Sequence, residues 1–334
     1  MPVRTKSATH FVEFAKLSEE EKSLLELELS IDEIGVALSK LDNDSTPGID
    51  GIPSEWYKVF HSKIKHVLFD SFSYSINEGS LSLFQRRGVI ILTPKGKDLR
   101  KDKIKNWRPI TLTNADYKLF SKIIAIRLQS VLESIIDISQ SGFMKGRSIA
   151  DHIRYIDDIL NLTVKQKING MLVSLDYEKA FDSINKNSII AAMKIFGFGQ
   201  YFIKCIETMM SSSESCVQNG GWLSTFFQTI RGVKQGCCAS PLLFLIIAEV
   251  MSIKIRQSDT IQGIELKLNN IVTPQAKILQ YCDDTTLIIK SLDDLIKAIQ
   301  VIDEFYYISG LKLNKEKSMG FWIGESRNNE EVPT

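Results

Sequence analysis

The segment AKILQYCDDTTLIIK, residues 276–290, constrains this chain more than any other. Two apolar runs flank an adjacent pair of acids, Asp283 and Asp284, which predicts a β-hairpin with both acids at its turn. About a hundred residues earlier, MLVSLD (171–176) reads as a buried strand ending in a third acid, Asp176. Acids are ordinary in turns, because Asp bonds its own backbone there. Carboxylates gathered at strand ends also repel one another, and a divalent cation between them removes that cost. Mg²⁺ favours such oxygens, and two ions about 4 Å apart can activate an attacking hydroxyl and stabilise a leaving phosphate oxygen.

The rest of the chain mixes helical and strand patterns without strict alternation, so the expected class is α+β. Two capping boxes occur, Ser18-x-x-Glu21 and Ser30-x-x-Glu33, and the second opens a short amphipathic helix with Ile34, Ala37, Leu38 and Leu41 on one face. After the turn-rich NDSTPGIDG, a longer helix presents Tyr57, Phe60, Ile64, Val67 and Leu68 and ends near Gly79. GVIILT (88–93) predicts a strand, and helices are expected over 115–136, 148–165, 185–196, 199–211, 240–256 and 292–308. Short strands are expected near 214–219, 226–231 and 318–323, and SQSGFMKGRS is a polar connection.

Net charge is only +1, so total charge does not announce a nucleic-acid partner. Its distribution says more. Residues 86–108 hold nine Lys or Arg against two Asp, interleaved with apolar and aromatic residues, as on a folded surface that touches phosphates. Five cysteines without a CxxC, and four histidines without ligand spacing, support neither a disulfide framework nor a zinc site. The longest apolar run, Pro241–Val250, is too short for a bilayer and contains Glu249, and no signal peptide follows Arg4 and Lys6. An intracellular protein without a membrane partner is the expectation, with nucleus and cytoplasm undistinguished.

Seven blocks in order resemble the reverse transcriptases, and within that family the LINE-type enzymes of non-LTR retrotransposons. They are TPGIDGIPSEWYK, LTPKGKD with NWRPITLTNADYKLFSKIIAIRL, SLDYEKAFDSI, RGVKQGCCASPLLFLI, YCDD, GLKLNKEKS and GFWIG. The resemblance implies a right-hand polymerase: an N-terminal helical extension (1–45), fingers with part of the palm (46–170), a palm carrying the catalytic hairpin (171–324) and a tail (325–334). It implies that Asp176, Asp283 and Asp284 hold two Mg²⁺ ions, Mn²⁺ being a possible substitute, with the Tyr177 carbonyl a further ligand. A DNA primer 3′-hydroxyl would then attack the α-phosphate of a dNTP on an RNA template. Lys95 and Arg108 would neutralise the triphosphate, and Phe181 would close the space of a ribose 2′-hydroxyl. Gln235 and Gly236 would pack near the new base pair, and Lys317, with Lys312 and Lys315 close by, would protonate the pyrophosphate.

This chain departs from the pattern at Cys238, where a proline is usual, at Asp44-Ser45, where a lysine is usual, and at Cys282, where alanine is commoner. None of these removes a metal ligand. The chain runs about ten residues past GFWIG, so the expectation is that the thumb is absent. LINE proteins also carry an endonuclease and a Cys-rich tail, so a fragment of a longer polyprotein is expected. Two other readings stay open. Asp176 and Asp182 show a spacing used by RNA-dependent RNA polymerases, against which stand Phe181 and YCDD. A catalytically inactive, retrotransposon-derived nucleic-acid binder would keep the fold and lose incorporation.

Overall fold

The computed structural model describes residues 12–96, 102–268 and 271–328. Its strands in chain order are β1 (Arg87–Pro94), β2 (Trp107–Thr113), β3 (Gly170–Leu175), β4 (Glu214–Asn219), β5 (Trp222–Leu223) and β6 (Phe227–Gln228). Then follow β7 (Lys267–Leu268), β8 (Ile271–Val272), β9 (Ile278–Tyr281), β10 (Asp284–Ile289) and β11 (Met319–Ile323). One sheet has the order β2-β1-β4-β5 with β6 also on β4, another the order β11-β3-β10-β9, and β7 pairs with β8. Helices and strands mix without regular βαβ units, so the protein is α+β.

The second sheet sits between two apolar layers, and side-chain alternation decides which residue meets which. Met171, Val173, Leu175, Leu287 and Ile289 enter the large core, together with Leu243, Phe244 and Ile247 of the helix Ser240–Gln257. Leu172, Ile288, Leu279 and Ile323 point the other way, into a smaller cluster with Ile159 of the helix Ile149–Lys165. This second face is covered only along half its length. Towards the end of β3 its members are Ser174, which is exposed, and Met319, which is 71% exposed opposite it. Asp176 and Asp284 have the same parity as these residues, so they stand on the open half of that face.

Expectation and structure part company in a few places. The helix expected over 115–136 is two, Ala115–Gln129 and Leu132–Ile135. In the helix Ser54–Glu78, Tyr57 and Leu68 are buried with Phe72 and Ile76, whereas Val67 is 67% exposed. The stripe there drifts around the cylinder over 25 residues, which a short window does not follow. The strand expected over 226–231 shrinks to β6, and β5 precedes it. β2 is an additional strand whose Pro109 cannot donate to a ladder, and it lies at a sheet edge, where that is tolerated. Of the basic block, residues 97–101 lie outside the described residues, as do 1–11, with Arg4 and Lys6, and 329–334 of the tail. No helix among the described residues is long and apolar enough to cross a membrane.

Beneath the hairpin, Glu249 is buried and bonded to Arg256, which also reaches Asp137 at 3.7 Å and Ser139 Oγ at 3.1 Å. Glu249 Oε2 has no partner. Burial pushes the Glu249 carboxyl up to about 7 from an ordinary value near 4.5, with Arg256 opposing. An acid whose folded pKa is raised binds a proton on folding between the two values. Its contribution to stability is therefore complete below about 4.5 and is lost as pH rises through about 7. Glu249→Gln is expected to raise the thermal midpoint by a few degrees at pH 8, on the order of 2 kcal/mol. The gain should vanish near pH 5, which calorimetry at the two pH values checks.

Candidate active site

The turn of the β9–β10 hairpin is two residues long, Cys282 and Asp283, because Tyr281 pairs with Asp284. The β3–β10 ladder ends at the Leu175–Thr285 pair, and one further register step sets Asp176 opposite Asp284. Cα atoms so paired in an antiparallel sheet lie roughly 4.5–5.5 Å apart. The structure thus sets Asp176 beside the turn that carries Asp283 and Asp284, from two segments a hundred residues apart. Asp284 is exposed as a residue, yet desolvation of its carboxyl beside the hairpin, and then the charges of Asp283 and Asp176, raise its pKa.

GLKLNKEKS wraps the other side of Asp176. Asn314 donates from Nδ2 to Asp176 Oδ2 at 3.0 Å and from its backbone N to the Asp176 carbonyl at 2.8 Å. Lys317 Nζ stands 3.7 Å from Asp176 Oδ2, while Lys312 pairs with Glu178 and Lys315 with Asp303. Of the three lysines in that segment, Lys317 is the one beside the acids. Tyr177 bridges Leu313, its ring buried with the hydroxyl on Met251 Sδ at 3.2 Å. That bridge is made by Asn314 N on the Asp176 carbonyl and Glu178 N on the Lys312 carbonyl, so it leaves the Tyr177 carbonyl unused.

A second group of predicted residues meets around the short helix that follows Asp176 in the chain. Phe181, in the short helix Ala180–Ser183, is half-buried and stacks on Phe244 with ring centroids 4.9 Å apart. Its carbonyl accepts from Val233 N at 2.9 Å, which ties it to the loop Gly232–Gly236. The Gln235 carbonyl accepts from Thr111 N at 2.9 Å, and Gln235 Nε2 donates to Asp182 Oδ1 at 3.0 Å. Gly236 has φ 107°, and a Cβ there would lie 2.9 Å from the Thr111 carbonyl oxygen. Burial raises the Asp182 carboxyl, with Gln235, Lys179 and Lys95 acting against it. Lys95 and Arg108 are exposed at the outer end of the β1–β2 hairpin, Arg108 opposite Thr93. The charge of Lys95 acts on Asp182.

The sequence reading missed Asn314, the Asp182–Gln235 contact and Gln140, whose side chain holds Cys282. Asn314 and Asp182 lie inside quoted blocks, so position was the available signal. Gln140 had none beyond a polar loop.

The donors suit a hard divalent cation in kind, since all three are carboxylates and their mutual repulsion is what such an ion relieves. Among the described residues no three His, Cys, Asp or Glu side chains already converge on one point. Asp176 is instead turned to Asn314 and Lys317. The arrangement can gather positive charge at its centre and present an aromatic wall and a carboxamide beside it.

The family model described as reverse transcriptase (RNA-dependent DNA polymerase) matches residues 94–328. The chain is 33% identical over 310 residues to the transposon TX1 uncharacterized 149 kDa protein of Xenopus laevis, covering 92% of this chain and 23% of that one. It is 26% identical over 288 residues to the retrovirus-related Pol polyprotein from the type-2 retrotransposable element R2DM of Drosophila melanogaster, covering 86% and 26%. It is 22% identical over 255 residues to the probable RNA-directed DNA polymerase from transposon BS of Drosophila melanogaster, covering 71% and 27%. The chain thus spans about a quarter of the length of these relatives. It belongs to the reverse transcriptase family, as a domain of the kind found in non-LTR, LINE-type retrotransposon polyproteins.

Proposed function

We propose that this chain carries RNA-directed DNA polymerase activity, adding dNTPs to the 3′ end of a DNA primer on an RNA template. The observation that carries the reading is Asp284 set opposite Asp176 with Asp283 at the adjoining turn, on the open half of a sheet face. In this reading residues 46–170 are the fingers with part of the palm and 171–324 the palm.

Asp176, Asp283 and Asp284, with the Tyr177 carbonyl, are the oxygens proposed to hold two divalent cations. Bound Mg²⁺, or Mn²⁺ in its place, supplies Lewis acidity that eases loss of the primer hydroxyl proton and neutralises charge on the phosphates. The primer 3′-oxygen forms its bond to the α-phosphorus as the bond to pyrophosphate breaks. Lys317, 3.7 Å from Asp176, is the proposed proton donor to the leaving pyrophosphate. Lys95 and Arg108 meet the triphosphate from the fingers, Lys as a point charge and Arg as a fork. Gln235 is fixed by Asp182 and by β2 where the new base pair would pack. Gly236→Ala would force that loop away from Thr111, so the dNTP KM should rise by roughly tenfold while primer–template affinity holds.

Primer extension on an RNA template with Mg²⁺ tests the proposal. Incorporation of dNTPs but not rNTPs supports it, and incorporation of rNTPs alone would turn the reading to an RNA-dependent RNA polymerase. The second reading, a nucleic-acid binder without catalysis, has in its favour the acid side chains that do not converge. Salt-sensitive binding of primer–template without incorporation would establish it.

A further inference from the structure

We infer that Gln140 is a positioning residue for the acidic turn, its carboxamide holding Cys282 in the left-handed conformation that sets Asp283 and Asp284. The inference rests on the polymerase reading above. Cys282 has φ 59° at the first central position of the turn, where a residue with a Cβ is strained. Some outside group has to hold it there. Gln140, 1% exposed, does so with both ends of one amide. Its Nε2 donates to the Cys282 carbonyl at 3.1 Å, and its Oε1 accepts from Cys282 N at 2.8 Å. The same Oε1 accepts from Gly142 N at 2.9 Å.

The loop bearing Gln140 is itself fixed. It adds to the hairpin as a parallel bridge between Gln140 and Gln280, with Gln280 N on the Ser139 carbonyl at 2.7 Å and Ser141 N on the Gln280 carbonyl at 3.0 Å. Arg147 donates to the Gln140 carbonyl at 2.7 Å and to the Ile136 carbonyl at 2.9 Å. A Cβ on Gly142 would lie 2.3 Å from Cys282 N, so only glycine lets the loop press this closely on the turn. Among side chains of this length, a carboxamide alone offers donor and acceptor together. An acid at 140 could accept from both N–H groups and would face the Cys282 carbonyl with a lone pair.

Glycine at 282 should make Gln140 dispensable, because glycine takes the left-handed conformation without help. Gln140→Glu and Gln140→Leu are each expected to lower kcat for dNTP addition by about tenfold or more, with primer–template affinity within about twofold. In Gln140→Leu, amide exchange at Cys282 and Gly142 should quicken, since both N–H groups lose their acceptor. Cys282→Gly added to either variant should recover most of the lost kcat. Wild-type kcat in both single variants would overturn the inference, as would failure of Cys282→Gly to recover it with Cys282 exchange unchanged. A wild-type chain that incorporates nothing would sink the polymerase reading alone, and the exchange rates at Cys282 and Gly142 would then decide the role of Gln140.

Discussion

Asp283→Ala should abolish primer extension, by on the order of 10³-fold or more, without lowering the thermal midpoint. The two halves of that expectation come from one observation. The Asp284 carboxyl is raised by burial and by the charges of Asp283 and Asp176, so the cluster is a place where carboxylates oppose folding. Removing one charge relieves the others, and a side chain kept only for stability would behave in the opposite way. Asp283 is a turn residue whose backbone, not its side chain, carries the β9–β10 connection, so alanine keeps the hairpin. Primer extension and a thermal melt on the same preparations check both halves. Extension at more than about a tenth of the wild-type rate would remove the two-metal reading. Loss of extension together with a collapsed melting transition would mean that turn geometry had been lost, and the carboxylate argument with it.

What the sequence disclosed and what it hid divide by range. The capping boxes at Ser18 and Ser30 form as predicted, because a box is closed by residues three apart. The β9–β10 hairpin and β3 were legible for the same reason: their apolar runs and bounding acids are local. Opposition of Asp176 and Asp284 depends on register between distant segments, and the family resemblance, rather than periodicity, anticipated it. β2 was hidden because an edge strand tolerates Pro109 and needs no alternation. Gln140 was hidden because Cys282, the residue it holds, lies 142 residues away, and a glutamine in a polar loop resembles any solvated one. Glu249 stood out as an acid in an apolar run, and Arg256, two turns on and so on the same helix face, completes the pair.

Phe181→Val is expected to raise incorporation of rNTPs relative to dNTPs by roughly 10²-fold, the most that excluding a single hydroxyl by shape commonly yields. A half-buried phenylalanine would ordinarily be read as core, and its stack on Phe244 makes that reading concrete. The two roles predict different ratios. As packing alone, the ring's loss lowers stability and slows both nucleotides together, leaving discrimination where it was. As a wall beside the sugar, its loss frees room for the 2′-hydroxyl and changes the ratio even where the dNTP rate falls. The ring is held firmly in either role: the Val233 bond to the Phe181 carbonyl fixes its backbone, and Phe244 backs its ring. Phe244→Leu therefore serves as the companion variant, since it loosens the support while leaving the wall in place. Its discrimination should shift by only about threefold, although its melting point falls comparably. Equal ratios in wild type and Phe181→Val would return Phe181 to the core and leave the choice of sugar to some other contact.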